Sequence, residues 1–166
     1  MHSRAILLSS VTITLGVLVS SPVSALSCTD SNWDRTMSKD RSMMRHYNEG
    51  VERYEDICTY DFKYNASNYR DRINFLQSRI DEAFALVDYF DITREKLEDV
   101  EDRWYALHES CDGVNADSAY DNYEITYDFG KENIFGGEYD VDIVDDTFEC
   151  INNMKSQIAE MRLEFE

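Results

Sequence analysis

Proline is absent from the chain after Pro22, and only five glycines follow it: Gly50, Gly113, Gly130, Gly136 and Gly137. With so few residues that break or kink a helix, long uninterrupted helices are permitted from residue 26 onward. No apolar run after Val19 approaches the ~20 residues needed to cross a bilayer, so no membrane span is expected there. The residue patterns of familiar catalysis are missing too. Beyond position 25 there are two histidines, His46 and His108, and no His-Glu-x-x-His, Gly-x-Ser-x-Gly, P-loop or dinucleotide glycine pattern. A di-iron bundle needs Glu-x-x-His on two helices, but Met43 and Tyr105 stand three residues before the histidines. Met37 and His108 are conceivable haem ligands, yet a methionine in a helical seam is ordinarily core filler, and covalent haem attachment lacks its Cys-x-x-Cys-His. His108, beside Trp104 and Leu107, is expected to be a bundle residue with a satisfied hydrogen bond.

What is present begins with a leader. Arg4 supplies a short basic region, Ala5 to Val19 an apolar core, Pro22 a helix stop, and Val23-Ser24-Ala25 the small residues a signal peptidase reads. Residues 1–25 are therefore expected to be a cleaved signal peptide, leaving 26–166 as one acidic helical domain exported to the periplasm or the extracellular space. Lipidation at Cys28 is disfavoured, because that processing wants leucine or a similar residue three positions earlier and Ala25 stands there. Export changes how the cysteines are read. Cys28, Cys58, Cys111 and Cys150 are even in number and bound for an oxidising compartment, so two disulfides are expected. Without any Cys-x-x-Cys pair they do not form a zinc knuckle.

Basic residues are scarce. Removing the leader takes away one arginine and no acid, so 15 Lys+Arg remain against 34 Asp+Glu, a net charge of −19. Phosphates would be repelled over most of such a surface, which argues against nucleic acid as a partner. The charge is also uneven. Arg35, Lys39, Arg41 and Arg45 cluster against Asp40 alone, whereas twelve acids between Asp112 and Glu149 face the single base Lys131. The two stretches either face each other in the fold, or leave the acidic one open to a cationic partner.

Apolar spacing locates the helices. Trp33, Met37, Met44, Tyr47, Val51, Tyr54 and Cys58 keep a three-four rhythm, which predicts a helix from Asp30 to about Tyr60. A polar turn at Asn65 to Asn68 follows. Its Asn65-Ala66-Ser67 sequon would carry a glycan only in a eukaryotic host. A second seam comprises Tyr69, Ile73, Leu76, Ile80, Ala83, Val87 and Phe90, and then Leu97, Val100, Trp104, Leu107 and Cys111. It stays in phase throughout, but unbroken it would span about 65 Å, and Asp91-Ile92-Thr93 offers N-cap residues, so a break or kink is expected near Asp91. After Gly113 the pattern changes. Tyr123, Ile125, Tyr127 and Phe129 alternate with Glu124, Thr126 and Asp128, and Tyr139, Val141 and Ile143 alternate with Asp140 and Asp142, the period of a strand pair. Tyr120, Tyr123 and Tyr127 also suit one helical face, but the double alternation favours a hairpin. A last helix is expected from an Asp146 cap, with Glu149 completing a capping box.

The expected fold is mainly α: a disulfide-bonded antiparallel bundle of three or four helices with a small β-hairpin inserted around 123–144. A helix between Cys28 and Cys58 holds them about 45 Å apart, which excludes that bridge and with it Cys111–Cys150. A break at Asp91 would bring Cys111 to Cys58 and leave Cys28 for Cys150; without it, Cys111 ends level with Cys28.

The best candidate site is the acidic, tyrosine-rich stretch of Tyr120, Tyr123, Glu124, Tyr127, Asp128, Tyr139, Asp140 and Asp142. Tyrosine among carboxylates suits the grip of a basic protein. The leading functional expectation is thus an exported, non-catalytic protein-binding module, such as an inhibitor, an immunity-type protein or a chaperone-like adaptor. The competing expectation is a periplasmic or extracellular enzyme, or a ligand- or calcium-binding protein, that uses clustered carboxylates. Oxygen-only ligands would suit Ca²⁺, although no EF-hand loop is present.

Overall fold

The computed structural model describes residues 26–60, 63–134 and 142–166. The leader and residues 135–141, which include Tyr139, Asp140 and Val141, lie outside the described residues. The chain forms four helices: α1 (Asp30–Cys58), α2 (Tyr69–Ser110), α3 (Val114–Asn133) and α4 (Ile143–Phe165).

Helix α1 starts where the sequence places it. Thr29 is extended and caps it, its side chain accepting from the Asn32 N–H at 3.3 Å, while Asp30 in the first turn suits the positive end of the helix dipole. Its buried residues are Thr36, Met43, Gly50 and Ile57, one every seventh position. That heptad spacing keeps a single narrow stripe against α2, as coiled-coil packing does.

Helix α2 is unbroken over 42 residues, about 63 Å, which corrects the expected kink near Asp91. The physical reason lies in its Asp-Ile-Thr triplet. Thr93 is fully buried in the seam, and instead of capping a new helix its hydroxyl donates back to the Tyr89 carbonyl at 3.0 Å. Asp91 and Ile92 point to solvent. The seam therefore runs on from Phe90 through Thr93 to Leu97, Val100, Trp104 and Leu107, all buried.

With α2 as the spine, α1 lies antiparallel along one side. Along another side α3 and α4 follow each other, both antiparallel to α2. Arg94, midway along the spine, reaches the Ile134 carbonyl at the end of α3 (3.3 Å) and the Asp142 carboxylate at the start of α4 (3.9 Å). Two apolar clusters result. One gathers Ile57, Tyr69 to Phe90, and the α4 residues Ile143, Ile151, Met154, Ile158 and Met161. The other gathers Met43, Leu97, Val100, Trp104, Leu107, Ala119 and Ile134. Tyr47 packs against both. Each large side chain removed from water here stabilises the bundle by roughly 1.5–3 kcal/mol before entropy is counted.

The bridges follow from the unbroken spine. Cys28 joins Cys111 and Cys58 joins Cys150, with Cα separations of 4.9 and 5.8 Å. The pairing of Cys58 with Cys111 that a kink would bring about is overturned, and the excluded Cys28–Cys58 bridge is indeed not formed. The hairpin is corrected as well: residues 114–133 are helical, and no strand occurs among the described residues. The last helix also starts earlier than expected. Asp142, not Asp146, caps it by accepting from the Val144 N–H at 2.8 Å. Ile143 and Thr147 extend the buried stripe two turns upstream of Cys150, so the apolar face pulls the start back.

Candidate functional site

Helical geometry reorganises the expected site. Alternation would have put Tyr123 and Tyr127 on the opposite side of a strand from Glu124 and Asp128. On α3, Tyr120, Tyr123, Glu124, Tyr127 and Asp128 occupy positions i, i+3, i+4, i+7 and i+8, which share one face. Thr126 turns inward to α2 and is buried, its hydroxyl bonded back to the Asn122 carbonyl at 2.8 Å.

The tyrosine rings form a continuous ladder. Tyr120 and Tyr123 have centroids 5.9 Å apart, and Tyr123 stacks on Tyr127 at 6.0 Å and 25°. Helix α2 adds two more rings. Tyr105 meets Tyr123 edge to face at 5.5 Å, and His108 lies 5.0 Å from Tyr120. The His108 Nδ1–H donates to the Ala116 carbonyl at 3.2 Å, which fixes its tautomer and ties the start of α3 to the end of α2. Tyr105, Tyr120 and Tyr127 are each between 38 and 47% exposed. Lys131 places its ammonium 5.7 Å from the Tyr127 ring centre, a cation–π contact at the edge of the ladder.

Negative charge surrounds these rings. The charge of Glu124, together with a hydrogen bond to it, pushes the Tyr120 phenol above its ordinary value. Burial, then Glu101, Tyr127, Tyr105 and Asp102, do the same to Tyr123. Burial also raises the Glu101 carboxyl, with the like charges of Glu98 and Asp102 adding to it. The phenols are therefore held protonated in a field that favours cations.

No protein-family model, curated protein or solved structure matches this chain. Function has to be argued from the site alone. Of the eight expected site residues, five lie on the α3 face. Asp142 does not join them, since it caps α4 and faces Arg94. Tyr139 and Asp140 lie outside the described residues. Glu101, Tyr105 and His108 were not anticipated, although their spacing on α2 places them beside the Trp104 and Leu107 stripe, where α3 docks.

The remaining candidates have structural employment. The His46 ring stacks on Tyr89 at 3.8 Å and 8°, and its Nδ1 lies 2.8 Å from the Thr93 hydroxyl. Because that hydroxyl donates to Tyr89, His46 is the donor in this pair. Met37 packs against the cluster of Met43, Leu97 and Trp104. Lys39 pairs with Asp99 of α2, Arg41 donates to the Met37 carbonyl of its own helix, and Arg45 approaches Glu49 at 3.9 Å. Among the described residues no ion pair joins the basic stretch of α1 to the acids of α3, so the acidic face is not neutralised from within. Nor, among them, does any group of three His, Cys, Asp or Glu side chains stand where it could hold a metal ion.

Proposed function

We propose that this chain is an exported, non-catalytic binding module that holds a basic protein against the tyrosine-and-carboxylate face of α3 and the adjoining end of α2. The observation that carries this reading is the helical register itself: it interleaves Tyr120, Tyr123 and Tyr127 with Glu124 and Asp128 on one exposed face. Tyrosines supply contact area at low entropic cost, and carboxylates beside them select positive charge and speed encounter. Export rests on the leader, and it is supported by two cysteine pairs at bonding distance and by the lack, among the described residues, of a helix long and apolar enough to cross a membrane.

The test uses two variants of equal charge change. One combines Glu124→Gln and Asp128→Asn with Tyr123→Ala. The other makes Glu52→Gln and Glu82→Gln, in the groove between α1 and α2. Bait proteins of each kind are exposed to the native host's extract at physiological salt, and bound proteins are quantified. The reading expects one basic protein retained by the wild type and by the groove variant but lost by the α3 variant. Equal retention by both variants refutes it.

A further inference from the structure

The join between α2 and α3 carries a chemical feature of its own. The sequence holds one Asp-Gly pair, Asp112-Gly113, and no Asn-Gly pair. It falls in the short link between Ser110, the end of α2, and Val114, the start of α3. Asp112, Gly113 and Val114 are all exposed. Gly113 has φ 56° and ψ −136°, a backbone conformation that other residues rarely adopt, and a Cβ added there would meet nothing within 4 Å. Its carbonyl accepts from the Asp117 N–H at 3.1 Å, but among the described residues its own N–H donates to nothing. Most of the described aspartates stand inside helices, where the N–H that follows is committed to a carbonyl one turn back. At Gly113 the amide is unengaged, unshielded by any side chain of its own, and next to a carboxyl.

We infer that Asp112-Gly113 is a self-modifying site, which converts to isoaspartate and thereby loosens the anchoring of α3 on α2. The step needs water alone. The Gly113 nitrogen attacks the Asp112 Cγ, the new C–N bond closes a five-membered succinimide, and the carboxyl hydroxyl leaves with the amide proton as water. Water then opens the ring. Cleavage between the Gly113 nitrogen and the original backbone carbonyl carbon leaves the main chain running through Cγ, with that carbonyl now a carboxylate; cleavage on the other side restores aspartate. No electron is gained or lost, and the net charge is unchanged. The main chain, however, gains one methylene, about 1.5 Å of contour. Both ends of the link are held. Cys111 is bridged to Cys28, and its N–H donates to the Leu107 carbonyl at 2.9 Å. On the other side the Ala116 carbonyl accepts from His108 Nδ1 at 3.2 Å. That single hydrogen bond is the weaker tie, so the added length displaces the first turn of α3. Tyr120 moves with it, being one turn beyond Ala116 and 5.0 Å from the His108 ring. This chemistry is independent of whether the α3 face holds a partner.

The test ages the oxidised full chain in warm, mildly acidic buffer, in which an aspartic acid can lose its hydroxyl as water. Asp112→Glu is aged beside it, since its longer side chain would have to close a six-membered ring. Enzymatic methylation of isoaspartate followed by peptide mapping should find the wild type modified at position 112, through an intermediate lighter by one water, and Asp112→Glu unmodified there. In NMR the aged wild type, separated by ion exchange, should show shifted His108 and Tyr120 ring resonances, while Tyr60 and Phe75, in the other apolar cluster, keep theirs. Modification confined to chains first unfolded in urea would overturn the inference, and so would a modified folded chain whose His108 and Tyr120 resonances stay in place.

Discussion

Gly50→Ala sets two effects of similar size against each other. Gly50 sits in the middle of α1, where alanine is worth about 1 kcal/mol more than glycine in helix propensity. From helix physics alone the substitution should stabilise. The structure says the opposite, because a Cβ on Gly50 would lie 2.6 Å from Phe90 Cε1, 3.0 Å from its Cζ and 3.2 Å from Tyr89 Cε1. Neither ring has room to yield. Phe90 is fully buried, and Tyr89 is held by the His46 ring and by Arg53, which stands seven residues further along α1. Overpacking of this kind costs about 1–3 kcal/mol. The net expectation is a loss of about 1 kcal/mol, or a fall in Tm of about 2–4 °C. Urea denaturation followed by circular dichroism, with both disulfides intact, measures it as a lower midpoint at unchanged slope. Adding Phe90→Leu should recover part of what Gly50→Ala loses, a favourable coupling between neighbours. A Gly50→Ala protein that is more stable than the wild type by the full propensity gain would refute the close approach of α1 and α2.

The disulfides close separations of 83 and 92 residues, which by chain entropy stabilise the fold by about 4.5 kcal/mol each. Cys58→Ser with Cys150→Ser should therefore lose about 4–5 kcal/mol in urea denaturation, and a loss below about 1 kcal/mol would mean that the second bridge constrains little. His46 predicts a pH dependence: burial lowers its imidazole below the ordinary 6.5, with Lys96 and Arg53 adding to the effect and Glu49 opposing it. Its contribution is complete above pH 6.5 and is lost as the pH falls through the lower folded-state value, since the unfolded chain takes up the proton first. His46→Gln should thus gain on the wild type as pH drops from 7 to 5; a stability difference that stays constant over that range would show that His46 is not the titrating group.

The helical class, the bounds of α1 and the exclusion of the Cys28–Cys58 bridge were legible because each rests on a long periodic signal. The Asp91 kink was misread for a local reason. Aspartate and threonine are good N-caps in isolation, but Thr93 falls on the buried stripe and can satisfy its hydroxyl within the helix. Packing along the whole spine outweighs a cap signal worth about 1 kcal/mol. The start of α4 was missed in the same way, Asp146 attracting attention while Ile143 was already buried.

The hairpin error has a deeper cause, and it bears on the site. The residues that α3 buries are Ala119, Thr126, Gly130 and the following Ile134, three of them too small or too polar to register as a hydrophobic seam. The eye follows Tyr123, Ile125, Tyr127 and Phe129 instead, and their alternation imitates a strand. Yet Ile125 is 67% exposed and Tyr127 42%. Ala119, Thr126 and Gly130 put little bulk against α2, and the partly buried rings of Tyr123 and Phe129 pack beside them against the cluster around Trp104. On that flank Tyr123 meets Tyr105 and Tyr120 meets His108, while Tyr120 and Tyr127 keep a face in water. The inconspicuous seam and the aromatic face are set by the same helical register. Enlarging the seam would push α3 outward and separate Tyr123 from Tyr105, dismantling the ladder without touching a single residue of it.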